Sequence, residues 1–166
     1  MIKQGIFCIM LLGLLSKPSF SADEFALLES ERIGSLRIGL SDTEVKKIIR
    51  CPLKQGAEQF WAADGVYHQE WRFTGCGITV GMVSEKKNSA QSISYISINR
   101  PNTLKTLRGI GIGSPEEEVI KSYRTDWNRE ESQVSKSFVA GSLYGGLIFG
   151  FNKGKVSSIF LGAAAE

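Results

Sequence analysis

Histidine is nearly absent from this chain, at one residue in 166, and cysteine is scarce, at three. A closed zinc site needs four nitrogen or sulfur ligands, and with Cys8 set apart in the N-terminal apolar run only His68, Cys51 and Cys76 remain, one too few. No metal and no cofactor is expected. No apolar run reaches the roughly twenty residues of a membrane-spanning helix, and the run Ile6 to Leu15 is about half that length. Basic residues form no block and do not interleave with aromatics, which disfavours nucleic acid as a partner. Lys86-Lys87 comes nearest and reads as a solvated turn. Catalytic signatures are missing as well. There is no G-x-S-x-G. Gly109-Ile110-Gly111-Ile112-Gly113 lacks the G-x-G-x-x-G spacing, the preceding buried strand and the later acid of a dinucleotide site. Ser84-Glu85-Lys86-Lys87 matches S-x-x-K but lies in a polar turn with no partner motif. These absences point away from an enzyme.

What is present begins at the N-terminus. Lys3 supplies a short positive region, Ile6 to Leu15 an apolar run, and Ser19-Phe20-Ser21 small residues at the −3 and −1 positions. This is the layout of a secretory signal peptide over residues 1–21, with cleavage expected before Ala22. Cys8 sits inside the apolar run with the wrong neighbours for lipid attachment, so no membrane anchor is expected. The expected compartment is a bacterial periplasm. Cleavage at this point takes 21 residues from 166 and leaves 145, enough for one compact core or two small ones. It also removes Lys3 and Lys17 from twenty basic residues, leaving 18 against 17 acidic. Cys51 and Cys76 remain. In an oxidising compartment such an isolated pair is usually a disulfide. Two free thiols, or half of a ligand-poor metal site, are the alternatives. A 25-residue loop closed this way gains about 3 kcal/mol in the chain-entropy model.

The chain also resembles itself. Arg37 to Ile49 and Gly111 to Tyr123 share Ile-Gly, Glu-Val and a following lysine at an offset of 74. Gly77-Ile78-Thr79-Val80 corresponds to Gly146-Leu147-Ile148-Phe149, and Ser92 to Ile98 to Val156 to Leu161. Three matches in one order predict two copies of a supersecondary unit. The expected fold is therefore α+β: two tandem repeats, each a helix plus a three-stranded antiparallel sheet, sharing one curved sheet. The first spans 22–100 with the disulfide, the second 101–166. Ser41-Asp42-Thr43-Glu44 and Ser114-Pro115-Glu116-Glu117 fit a capping box. Pro115 suits a first helical position. Helices are predicted from about Ser41 to Arg50, with Val45, Ile48 and Ile49 inward, and from about Pro115 to Arg124, with Val119, Ile120 and Tyr123 inward. Strands are predicted at Val66–Phe73, Ile78–Val83, Gln91–Ile98, Lys136–Ala140, Leu143–Phe151 and Lys155–Leu161, the last two joined by an Asn152-Lys153-Gly154 turn. In the first strand Tyr67, Trp71 and Phe73 face one way, and His68, Glu70 and Arg72 the other.

Gly39-Leu40-Ser41, Val45, Cys51-Pro52 and the aromatic strand Tyr67 to Phe73 resemble the small outer-membrane assembly lipoprotein of the BAM complex. Two such units in tandem resemble the β-lactamase inhibitory protein family. That resemblance implies helices packed on one curved antiparallel sheet, and a disulfide from helix end to strand, which Cys51 and Cys76 match. The second half has no cysteines, a departure from the family. The family grips an enzyme with its open sheet face, which by position implies His68, Glu70 and Arg72. Trp61, beside Phe60 and an Asp64-Gly65 turn, is the tryptophan best placed to be exposed as a contact hot spot. His68 and Glu70 as an acid–base pair lack a nucleophile once the cysteines pair. The expected function is a periplasmic protein-binding module, an immunity or inhibitor protein that neutralises a toxin or envelope enzyme. An envelope or outer-membrane assembly or scaffold factor is the alternative. The expected partner is a protein, and the residues leave the oligomeric state open.

Overall fold

The computed structural model describes residues 26–164. The expected signal peptide and its cleavage site lie outside the described residues. In chain order the elements are helices α1 (Ala26–Ser30) and α2 (Asp42–Ile48), then strands β1 (Leu53–Gln55), β2 (Gln59–Trp61), β3 (Val66–Phe73), β4 (Ile78–Ser84) and β5 (Ser92–Asn99). Helix α3 (Glu116–Ser122) and a short 3-10 turn follow, then β6 (Trp127–Gln133), β7 (Ser137–Ser142), β8 (Gly145–Asn152) and β9 (Lys155–Gly162). All strand pairs are antiparallel, in the order β1-β3-β4-β5-β9-β8-β7-β6, with β2 also on β3.

The expected α+β architecture of two helix-plus-three-stranded repeats is overturned. Strand makes up 47% and helix 16% of the structure, and the nine strands form one sheet, so the fold is mostly antiparallel β. Two physical causes stand out. Helices α2 and α3 hold only seven residues each, about two turns, and cannot form a layer of their own. Three further strands, β1, β2 and β6, form from sequence too short or too polar to show alternation: Leu-Lys-Gln, Gln-Phe-Trp and Trp-Asn-Arg-Glu-Glu-Ser-Gln. Their partners, rather than their own periodicity, hold them in the sheet.

Helix α2 starts on a complete capping box. Ser41 Oγ accepts from the Glu44 N–H, and the Ser41 N–H donates to Glu44 Oε2 at 3.1 Å. The second expected box does not form. Pro115, expected inside the helix, is the N-cap with no side-chain bond, and Ser114 Oγ accepts instead from the Gly111 N–H at 3.2 Å. Ser114 sits one residue too early to reach the helix. Val45, Ile49, Val119 and Tyr123 are buried as expected. Ile48 is not: it is 41% exposed, because the chain turns extended at Ile49 and that side chain takes the inward place.

The core lies on the helix side of the sheet. Trp71, Phe73, Val80, Ile96, Ile98, Phe149 and Ile159 point there, together with Val45 and Val119 from the helices. The Lys46 ammonium of α2 lies 4.7 Å from the Trp71 ring centre, and Tyr123, just after α3, packs on Phe149 at 5.1 Å. Cys51 and Cys76 form a disulfide, Cα atoms 6.2 Å apart, tying the end of α2 to the β3–β4 turn. Among the described residues no helix is long and apolar enough to cross a membrane. Among the described residues the opposite side of the sheet carries no helix and presents His68, Glu70, Arg72, Thr79, Tyr95, Ser97, Asn99, Ser158 and Phe160, none of them fully buried.

Candidate functional site on the open face of the sheet

The site starts at the β2–β3 hairpin. Gln59 pairs with His68, Phe60 with Tyr67 and Trp61 with Val66, so Trp61 and His68 are diagonal neighbours on one face. Their rings stack at 3.9 Å and 16°. Asp64 in the connecting turn completes the group. Its Oδ2 lies 2.6 Å from His68 Nε2, and its Oδ1 accepts from the Val66 N–H. Burial pushes the Asp64 carboxyl up, but the His68 bond, the Val66 N–H and the nearby histidine charge outweigh it and hold the group below its ordinary 3.8. Asp64 therefore fixes the tilt of the imidazole, and the imidazole fixes the indole above it.

Two residues further along β3, Glu70 stands opposite Gly81 of β4, which stands opposite Tyr95 of β5. Gly81 is required here by space. A Cβ on it would fall 2.3 Å from the Tyr95 ring, so the missing side chain lets that ring lie flat across β4. Tyr95 Oη then donates to Glu70 Oε2 at 3.0 Å, and its ring stacks on Phe160 of β9 at 5.4 Å. Glu70 also pairs with Arg72. Gln59, Trp61, His68, Glu70, Gly81 and Tyr95 line a depression of about 420 Å³. Gln69 stabilises its rim, with Nε2 donating to the Gly56 carbonyl and Oε1 accepting from Trp71 Nε1.

Three of the four residues expected from sequence, Trp61, His68 and Glu70, meet in this cleft. Arg72 does not line it and sits beside it as the ion-pair partner of Glu70. Tyr95, Gly81 and Asp64 were missed. For Tyr95 a signal was available. In Ser92-Ile93-Ser94-Tyr95-Ile96-Ser97-Ile98 the isoleucines fall at 93, 96 and 98, and that extra residue marks the bulge after Gly81. The bulge returns Ile96 to the core and leaves Tyr95 on the open face.

The cleft offers aromatic surface and a hydrogen-bonded carboxylate, held by each other, with no serine, threonine or cysteine among its lining residues. No group of three histidine, cysteine or acidic side chains that could hold a metal occurs among the described residues. Comparison with family models, with curated proteins and with solved structures finds no match to this chain. The resemblance to the β-lactamase inhibitory protein and to the BAM lipoprotein therefore rests on its short motifs alone.

Proposed function

We propose that this chain is a periplasmic protein-binding module that acts as an immunity or inhibitor protein against a toxin or envelope enzyme. The observation that carries the reading is the open-face cleft. Trp61 and Tyr95 supply aromatic area, and stacking and hydrogen bonds already hold both in one arrangement. Preorganised aromatics lose little freedom on association and are the usual anchors of protein interfaces. The Cys51–Cys76 disulfide and the N-terminal charge, apolar run and small-residue site agree with export to an oxidising compartment.

The test is co-purification of the disulfide-bonded protein from periplasmic extract, then reconstitution with the purified partner and assay of the partner's own activity. Wild-type protein should bind and suppress that activity. Trp61→Ala with Tyr95→Ala should weaken binding by about thirtyfold or more, the loss of at least one hot spot. No specific partner, or full binding by the double variant, rejects the reading. A deletion strain with a leaky outer membrane during ordinary growth would favour an assembly factor instead.

A further inference from the structure

The open face has a second depression, of about 660 Å³, at the end where β5 leaves the sheet and the β8–β9 hairpin turns. Asn99, Arg100, Asn152, Lys153 and Lys155 line it. Asn99 lies on the same face as Tyr95, four residues along β5, and so roughly 13 Å from the aromatic cleft. Asn152 and Lys155 are paired in register and point the same way.

Three cations therefore share one hollow, and its lining contains no carboxylate. All three are exposed, and none joins any of the four ion pairs among the described residues. Lys153 holds its place against backbone preference. It adopts φ +52°, followed by Gly154 at +70°, in a two-residue hairpin turn whose first position favours asparagine, aspartate or glycine. A bulky residue in that conformation carries a steric cost. Asn99 and Asn152 add side-chain amides, each both donor and acceptor, which match the N–H and C=O of an extended backbone. None of the large exposed apolar side chains, Ile48, Phe60, Trp61, Leu107, Val134 and Tyr144, lines the hollow, so it lacks the apolar wedge of a membrane-surface site.

We infer that this groove seats an acidic, extended segment of the protein partner, its carboxylates on Arg100, Lys153 and Lys155 and its peptide groups on the two asparagines. This rests on the reading that the open face takes a protein. It adds that the partner carries negative charge more than about 13 Å from the part that meets Tyr95, a span within reach of a standard interface.

The experiment is fluorescence anisotropy of a short labelled peptide of alternating glutamate and glycine, with a serine–glycine peptide as control, on the disulfide-bonded protein. The glutamate peptide should bind saturably and weaken as salt rises. K153E with K155E should bind about tenfold more weakly or worse, R100S should lose part of the affinity, and Trp61→Ala should bind like wild type. Thermal melts confirm that the variants fold, a fair expectation for exposed side chains. Equal binding of the two peptides, or an unchanged affinity in K153E/K155E, overturns the inference. So does co-sedimentation with phosphatidylglycerol vesicles, lost in K153E/K155E, without peptide binding, which would assign the groove to a membrane. Because the aromatic cleft is intact in K153E/K155E and the groove is intact in Trp61→Ala/Tyr95→Ala, the two proposals fail separately.

Discussion

Glu31 is the clearest case of a single residue on which the packing depends. It is 3% exposed, yet its carboxylate is satisfied: Tyr123 Oη donates at 2.8 Å, the Leu107 N–H at 2.9 Å and the Arg32 N–H at 3.0 Å. Tyr123→Phe removes one donor and leaves a buried oxygen short of a partner, which should cost about 1–3 kcal/mol in urea unfolding at neutral pH. Tyr123 also gives the fold an alkaline limit. Burial pushes its phenol well above the ordinary 10.0; the Thr106 hydroxyl opposes this, and the Glu31 charge adds to it. The unfolded chain then loses this proton before the folded one does. The contribution is present in full below pH 10 and is lost as pH rises above it. Urea midpoints measured from pH 9 upward should fall more steeply for wild type than for Tyr123→Phe. Nothing in the sequence pairs Glu31 with a tyrosine 92 positions away, since such a bond exists only once the chain has folded. The cleft is a similar case in part. His68 and Glu70 were placed together by strand alternation, whereas Tyr95 reached them across two strand pairings and a bulge.

At the scale of the element, the start of α2 is local chemistry and was legible as such. Ser41→Ala should cost about 1 kcal/mol, read from the thermal or urea midpoint. The bonds from Ser41 hold the Glu44 carboxyl below its ordinary 4.5. A depressed value means that its stabilising effect is present above pH 4.5 and disappears as pH falls through the folded value, so acidification should narrow the gap between wild type and Ser41→Ala. Strand β4 makes a different demand. Gly81→Ala puts a methyl group where the Tyr95 ring lies, which should destabilise by about 1–3 kcal/mol and swing the ring off Glu70. Partner affinity should then fall even where the protein remains folded; unchanged affinity would show that the position of Tyr95 is irrelevant to binding. Helix length was misjudged because apolar spacing marks which face is buried and not how many turns follow. The edge strands were missed because polar residues can occupy a strand that a neighbour holds by backbone bonds.

For the whole molecule, the Cys51–Cys76 bond joins the end of a two-turn helix to the β3–β4 turn, and so anchors the helix to the strand that carries the cleft. Replacing both cysteines with alanine should lower stability by about 3 kcal/mol in urea unfolding, and dithiothreitol should do the same to wild type while leaving the variant unmoved. Residue patterns alone were enough for properties that depend on near neighbours or simple alternation: the pairing of the cysteines, the helix cap at Ser41, the extent of β3, the hairpin at Lys153-Gly154, and the face shared by His68, Glu70 and Arg72. Folding in three dimensions was needed for the rest. The balance of strand over helix, the recruitment of β1, β2 and β6, the ring of Tyr95 over Gly81, and the gathering of Arg100 with Lys153 and Lys155 all come from contacts between distant parts of the chain. Such contacts gain their energy only when every partner is in place, and so they leave no periodic trace along the chain.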